Sequence, residues 1–241
     1  MATVEALVRD IISSVPANDG IGGIAVARWV DNRYKELVAK VNYRHLRKLG
    51  ELSLSAEVTT GTLVATRGST TITGTSTTFQ TEIGSGAQTD WYIRPASAWY
   101  EVASVGGETA ITLSSDYAED TISTAKSYHA CQRYYSLASD ARWIGGFLMT
   151  RLQKPLEVIS IEELDSLAPG RTIVGSHPAY VSQLGVDSSN NVRVEVYPPP
   201  KNTEILHYVY WSLPTELSVS STIPDIIDDY TLKEGVLIDV Y

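Results

Sequence analysis

The chain has 241 residues and a mass of 26.3 kDa, room for one large domain or two small ones. Hydrophobic residues make up 43% and charged residues 20%, which excludes a disordered chain. No apolar run approaches the roughly 18 residues of a spanning helix, which argues against a helical membrane protein. The 19 Lys+Arg against 28 Asp+Glu leave a net charge of −9, the wrong sign for a surface that grips DNA or an anionic membrane over its whole extent.

The single cysteine, Cys131, has no intrachain disulfide partner. Met1 leads into an acidic amphipathic segment instead of a basic start and an apolar signal core, so nothing points to ordinary secretion. The aromatics are lopsided, with 14 Tyr and 5 Trp but 2 Phe. Rings with a polar edge suit surfaces that are apolar on one side and wet on the other, as in an assembly interface.

In chain order, Thr3 reads as an N-cap for a helix carrying Val4, Leu7, Val8, Ile11, Ile12 and Val15 at three- and four-residue spacing, interrupted by Pro16 and Gly20. A second helix is expected from the Gly20–Gly23 turn to about Arg47, with Val26, Trp29, Val30, Tyr34, Leu37, Val38 and Val41 on one face. The composition then turns rich in threonine, which with alternating apolar residues argues for strands. The expected strands are Thr62 to Thr66, Thr70 to Thr73, Trp91 to Arg94, Trp99 to Val105, Ala110 to Ser114 and Lys126 to Tyr135. Together they make a small antiparallel barrel or sandwich.

Beyond Arg142 a strand is expected at Leu156 to Ile159, and Ser160-Ile161-Glu162-Glu163 has the spacing of a capping box before a short helix to about Leu167. Val192, Val194 and Val196 alternate with Arg193, Glu195 and Tyr197, and Ile205 to Trp211 alternates again across Pro198-Pro199-Pro200. This predicts a β-hairpin over 192–211. Ile223-Pro224-Asp225 opens a terminal helix over 225–241, which stops without a Gly or basic cap, so the natural product is expected to run further. The fold class is α+β, divided as a helical segment 1–55, a Thr-rich antiparallel β-module 56–140, and an α+β segment 141–241.

A search for chemistry finds no phosphate-binding loop, no dinucleotide fingerprint, no H-E-x-x-H and no nucleophile elbow. His129 and Cys131 lie two apart on one expected strand face, a spacing that rarely gives a thiolate its base, and the plain reading is a small buried thiol beside an edge histidine. His45, His129, His177 and His207 are scattered singly, without zinc-ligand spacing. The acidic groups Glu162, Glu163, Asp165 and Asp225, Asp228, Asp229 fall at expected helix starts, where the helix dipole favours negative charge. No catalytic residue, metal ligand or cofactor is therefore expected.

Arg28, Arg33, Lys35, Lys40, Arg44, Arg47 and Lys48, with Tyr34 and Tyr43 among them, make either a nucleic-acid face or the solvated or subunit-facing side of a helix. The pairs Trp91-Tyr92, Trp99-Tyr100 and Tyr134-Tyr135 suggest sugar stacking, although strand alternation turns one member of each pair inward.

The order of features carries a resemblance. The stretch from Ala27-Arg28-Trp29 through Tyr43-Arg44-His45-Leu46 is similar to the start of tailed-bacteriophage head-to-tail adaptor proteins. The run Gly61 to Phe79, followed by Trp99-Tyr100-Glu101-Val102, Ile111-Thr112-Leu113 and Asp116-Tyr117, resembles a β-module of phage virion proteins. Tyr197-Pro198-Pro199-Pro200, Tyr208-Val209-Tyr210-Trp211 and Ile223-Pro224-Asp225 also look like that neck family.

The resemblance implies a non-enzymatic virion protein, assembled in the host cytoplasm. It would be one subunit of a ring, typically of twelve copies, that binds portal and tail or nozzle proteins and lines a channel through which genomic DNA passes without specific binding. The N-terminal helical pair and the C-terminal helix would form the scaffold, with the β-module as an insertion. Candidate subunit-interface residues are Arg28, Arg33, Tyr34, Tyr43, Arg44, Trp99, Tyr100, Tyr208 and Tyr210. The alternatives are a tail-side nozzle or fibre-attachment protein, and a glycan-binding module.

Overall fold

The computed structural model describes residues 3–15, 22–40, 44–223 and 228–240. The chain begins with α1 (Val4–Ser14), α2 (Gly23–Lys40), a short 3-10 turn (Arg44–Leu46), β1 (Arg47–Leu54), β2 (Thr62–Ala65), β3 (Thr71–Thr75), α3 (Phe79–Glu82) and β4 (Gly86–Ala87). It continues through β5 (Trp91–Arg94), β6 (Tyr100–Gly107), β7 (Ala110–Leu113), β8 (Ile122–Lys126), β9 (His129–Gln132) and β10 (Tyr134–Ser136). There follow β11 (Ala141–Met149), β12 (Lys154–Ile159), α4 (Ile161–Leu167), β13 (Tyr180–Val186), β14 (Val192–Tyr197), β15 (Glu204–Ser212) and α5 (Asp229–Val240). The protein is thus α+β and mostly β. It divides into two compact units, one of residues 1–47 and 211–241, the other of residues 48–210.

In the helical unit the apolar stripe of α1 (Val4, Leu7, Val8, Ile11) closes on Val26, Val30, Tyr34 and Val38 of α2 and on Leu232 and Val236 of α5. Thr3 caps α1 as its sequence predicts, its hydroxyl accepting the Ala6 N–H at 3.2 Å. Asp31, buried on α2, accepts the backbone N–H of Leu217 at 2.8 Å and pairs with Lys35 at 2.6 Å, tying the segment that leads to α5 onto α2. The expected Pro16–Gly20 interruption, Tyr43 and the Pro224–Ile227 helix start lie outside the described residues.

The β unit contains two sheets. The first has eight strands in the order β8-β2-β3-β7-β6-β5-β9, with β4 paired to β6, and its pairings are antiparallel. Its core gathers Leu63, Ile72, Phe79, Trp91, Ile93, Val102, Ile111, Tyr117 and Tyr128. Gly61 opens the β2–β3 hairpin at φ +81°, and a Cβ there would meet the Ser76 carbonyl oxygen at 2.5 Å, so only glycine fits. The second sheet runs β1-β15-β11-β12-β13-β14-β10, with β12 and β13 parallel. It encloses Leu54, Phe147, Met149, Val181, Val194, Leu206, Tyr208 and Tyr210.

Four expectations need correction. The expected second helix does not reach Arg47: Arg44–Leu46 is a 3-10 turn and Arg47–Leu54 is a strand. In that strand Leu52 and Leu54 alternate inward, and pairing with β15 far along the chain overrides local helix preference. Lys126 to Tyr135 is not one strand: Ile122–Lys126, His129–Gln132 and Tyr134–Ser136 are separate, the second in the first sheet and the third in the second.

The hairpin over 192–211 does not form, because β14 lies between β13 and β10 while β15 lies between β1 and β11. The prolines have no N–H to extend a ladder, and their segment is held elsewhere: Gly175 donates to the Pro199 carbonyl at 3.0 Å and accepts from the Lys201 N–H at 3.0 Å. Finally, β11 and β13 have no counterpart among the expected strands. Gly145-Gly146 within β11 and the exposed Leu184–Val186 end of β13 blur the alternation that marks a strand.

Candidate functional site

The three aromatic pairs behave as strand alternation demands. Trp91, Tyr100 and Tyr135 are buried, while Tyr92, Trp99 and Tyr134 are half-exposed. The three outward rings, separated in sequence, meet at one cavity of the β unit. Tyr92 comes from β5, Trp99 from the residue before β6 and Tyr134 from the start of β10. Tyr92 and Tyr134 pack edge to face at 5.7 Å, with their hydroxyls 3.3 Å apart. Burial and this hydrogen bond raise the Tyr92 hydroxyl far above the usual phenol range.

Arg133 stands among these rings. It is the one residue between β9 and β10, the point at which the chain passes from the first sheet to the second. Its N–H donates to the Asp90 carbonyl at 3.0 Å, which fixes the turn. Its guanidinium lies 4.3 Å from the Tyr92 ring centre and 4.8 Å from that of Trp99, and Arg94 lies 5.0 Å from Trp99. The result is a ladder of alternating ring and guanidinium. Arg193, paired with Asp90, adds a further contact at 4.4 Å over Tyr134.

The opposite wall is built by Arg171, which is buried and follows the Pro169-Gly170 turn after α4. Its Nε donates to Glu195 Oε1 at 2.7 Å and its Nη2 to Asp165 Oδ1 at 2.6 Å. Its Nη1 donates to the Ala168 and Leu164 carbonyls at 2.9 and 3.3 Å, capping the end of α4. Arg133 Nη2 in turn donates to the Arg171 carbonyl at 3.2 Å, joining the two walls. Glu195 reads in sequence as an outward strand residue; it is buried because the α4 segment covers that face of β14. The capping box is realised on the Ser160 side, whose hydroxyl accepts the Glu163 N–H at 3.1 Å.

The candidate interface residues separate by burial. Tyr34 belongs to the helical core, Tyr100 to the core of the first sheet, and Tyr208 and Tyr210 to the core of the second. These four rings are therefore internal to the chain and offer no surface to a partner. Arg28 and Arg44 are exposed, and Arg33 is half-buried and paired with Glu36 at 2.7 Å. Trp99 stands at the cavity, and Tyr43 is outside the described residues.

His129 and Cys131 do not form a working pair. His129 Nδ1 bonds Glu57, while the Cys131 thiol is buried and pushed up to about 12 by that burial, which leaves it protonated and inert at neutral pH. His177 bonds Glu204, and His207 lies 3.9 Å from Glu51, so these imidazoles face different carboxylates. Among the described residues no group of three or more His, Cys, Asp or Glu gathers as metal ligands, and no helix is long and apolar enough to cross a membrane.

Compared with known proteins, the chain matches no family model and is not significantly similar to any curated protein.

Proposed function

We propose that the chain is a structural protein of a tailed-phage virion, a head-to-tail adaptor subunit that assembles as a ring between portal and tail and surrounds the DNA channel. The observation that carries this reading is the closing of both ends of the chain into one helical unit, with residues 48–210 leaving and returning as an insertion. A scaffold of two N-terminal helices and a terminal helix, interrupted by β structure, is the organisation the resemblance implies. Charge supports it as well: twelve copies at −9 each would carry 12 × (−9) = −108, and an acidic lumen lets DNA pass without sticking. Ring subunits meet head to tail and need two unlike surfaces. Arg28 and Arg44 are exposed on the helical unit, as are the apolar Ile24, Tyr230 and Ile238.

A glycan-binding module is the second reading, favoured by the meeting of Tyr92, Trp99 and Tyr134 at one cavity. Against it, guanidinium groups lie over all three rings, where a sugar would stack. Light scattering and negative-stain microscopy of the protein, alone and mixed with a matching portal ring, separate the two. The adaptor reading expects a discrete rotationally symmetric complex, twelvefold on portal. A monomer that ignores portal and is retained on a sugar column overturns it.

A further inference from the structure

We infer that the cavity beside Arg133 is a binding site for a small carboxylate, held by the Arg133 guanidinium between the Tyr92 and Trp99 rings. The cavity measures about 640 Å³, within the range of small-molecule sites. It lies wholly in the β unit.

Charge accounting is the first argument. Four charged side chains line the space: Arg133, Arg171, Asp165 and Glu195. Asp165 and Glu195 are both bonded to Arg171, so the lining is neutral overall, two cations against two acids, but neither carboxylate is bonded to Arg133. Among the described residues no carboxylate pairs with Arg133, nor with Arg94, whose guanidinium also lies over the Trp99 ring. Burying a cation without a counter-ion is costly, and ring faces compensate only part of that cost.

Unused donors are the second argument. Arg133 is 5% exposed, and its Nε has no hydrogen-bond partner; the buried indole N–H of Trp99 also has none. Buried donors of this kind are normally satisfied. A purely structural ladder accounts for the stacking but leaves both buried N–H groups without a partner.

Ligand class follows from the same groups. A planar guanidinium held in a fixed plane presents parallel N–H groups that match the two oxygens of a carboxylate. A cation with no directly bonded carboxylate, in a lining that also holds two acids, suits a monoanion better than a doubly charged phosphate. Ser97 and Thr172 add hydroxyls to the lining, and Leu184 adds an apolar edge, so the body of the ligand meets mixed surface. A sugar acid and an acidic amino-acid residue both present this chemistry.

The test is isothermal titration of the full chain with D-glucuronate, N-acetylglutamate α-methylamide, which carries one carboxylate, inorganic phosphate and D-glucose. At least one of the two carboxylates is expected to bind about tenfold or more tightly than glucose and phosphate, the size of one charged hydrogen-bonding contact. Glucuronate alone marks a sugar acid as the source, and the glutamate α-methylamide alone marks an acidic side chain. Arg133→Gln is expected to weaken binding at least about tenfold. Should that variant fail to fold, Leu184→Trp, which fills the exposed edge and leaves the ladder untouched, is expected to block binding by itself. Absence of carboxylate binding, equal binding of glucose, tighter binding of phosphate, or full binding by Leu184→Trp overturns the inference. None of these readouts depends on ring assembly, so this site and the adaptor reading stand or fall separately.

Discussion

Replacing Arg171 by Met removes the cation that holds Glu195 and Asp165 and caps α4. Glu195 has 3% side-chain exposure, so the change strands a buried carboxylate, and it also removes the donor to the Ala168 and Leu164 carbonyls. Loss of one partner of a buried pair costs about 3–5 kcal/mol. For a unit of this size that is a fall of roughly 6–20 °C in midpoint temperature. Arg171 has φ +51°, a strained position for methionine and arginine alike, so the backbone contribution cancels in the comparison. Asp165 is 65% exposed and regains water, so its share of the loss is small. Glu195→Gln keeps the shape and one acceptor, and a loss of about 1–2 kcal/mol is expected. The double change Arg171→Met with Glu195→Met removes both charges together and is expected to cost less than Arg171→Met alone. Urea unfolding followed by circular dichroism measures all three. A single Arg171→Met loss below about 1 kcal/mol, or a double variant no more stable than Arg171→Met alone, would refute the reasoning.

Gly50→Ala places a Cβ 2.3 Å from the buried Tyr208 ring, and a loss of about 1–3 kcal/mol from overpacking is expected in denaturant titration; an unchanged midpoint would mean the strand simply shifts. Asp187 anchors the turn between β13 and β14, and the Ser136 hydroxyl, followed by the Asn191 N–H, lowers its carboxyl from 3.8 to about 2. A depressed folded value means its contribution is complete above the unfolded value and is lost as pH falls from about 4 to about 2. Asp187→Asn is expected to flatten the pH dependence of stability in that window alone, and a wild-type slope retained there contradicts the assignment.

Much of the local structure was legible because it depends on neighbours in sequence. The α1 stripe, the Thr3 and Ser160 caps, and the Trp91–Arg94 strand follow from spacing and capping chemistry. The aromatic pairs were half legible: alternation says that one ring of each faces out, and it cannot say that Tyr92, Trp99 and Tyr134 face the same space. What failed depended on distant partners. Arg47–Leu54 becomes a strand because β15 pairs with it, and the two alternating runs around the prolines stay apart because β14 and β15 find other neighbours. Arg171 and Glu195 gave no signal, since an arginine after a Pro-Gly turn and a glutamate on a strand both read as surface.

The cavity has a topological cause that ties these points together. Gln132 ends the last strand of one sheet and Tyr134 begins the edge strand of the other, so Arg133 has no ladder of its own and its side chain is free to enter the gap the switch creates. β9 and β10 are themselves the edge strands of their sheets, which leaves room for rings rather than backbone pairing on their free sides. Tyr92 sits opposite Cys131 and Tyr134 opposite Glu195, so register alone aims one ring from each sheet at the arginine between them. A residue that merely bridged two sheets would serve as well with an apolar side chain, and the cheaper way to fill a buried gap is Leu or Met. Placing a cation there, with aromatic faces but, among the described residues, no carboxylate bonded to it, is stable because the rings repay part of its desolvation, and it leaves a guanidinium that an anion from outside the chain could answer.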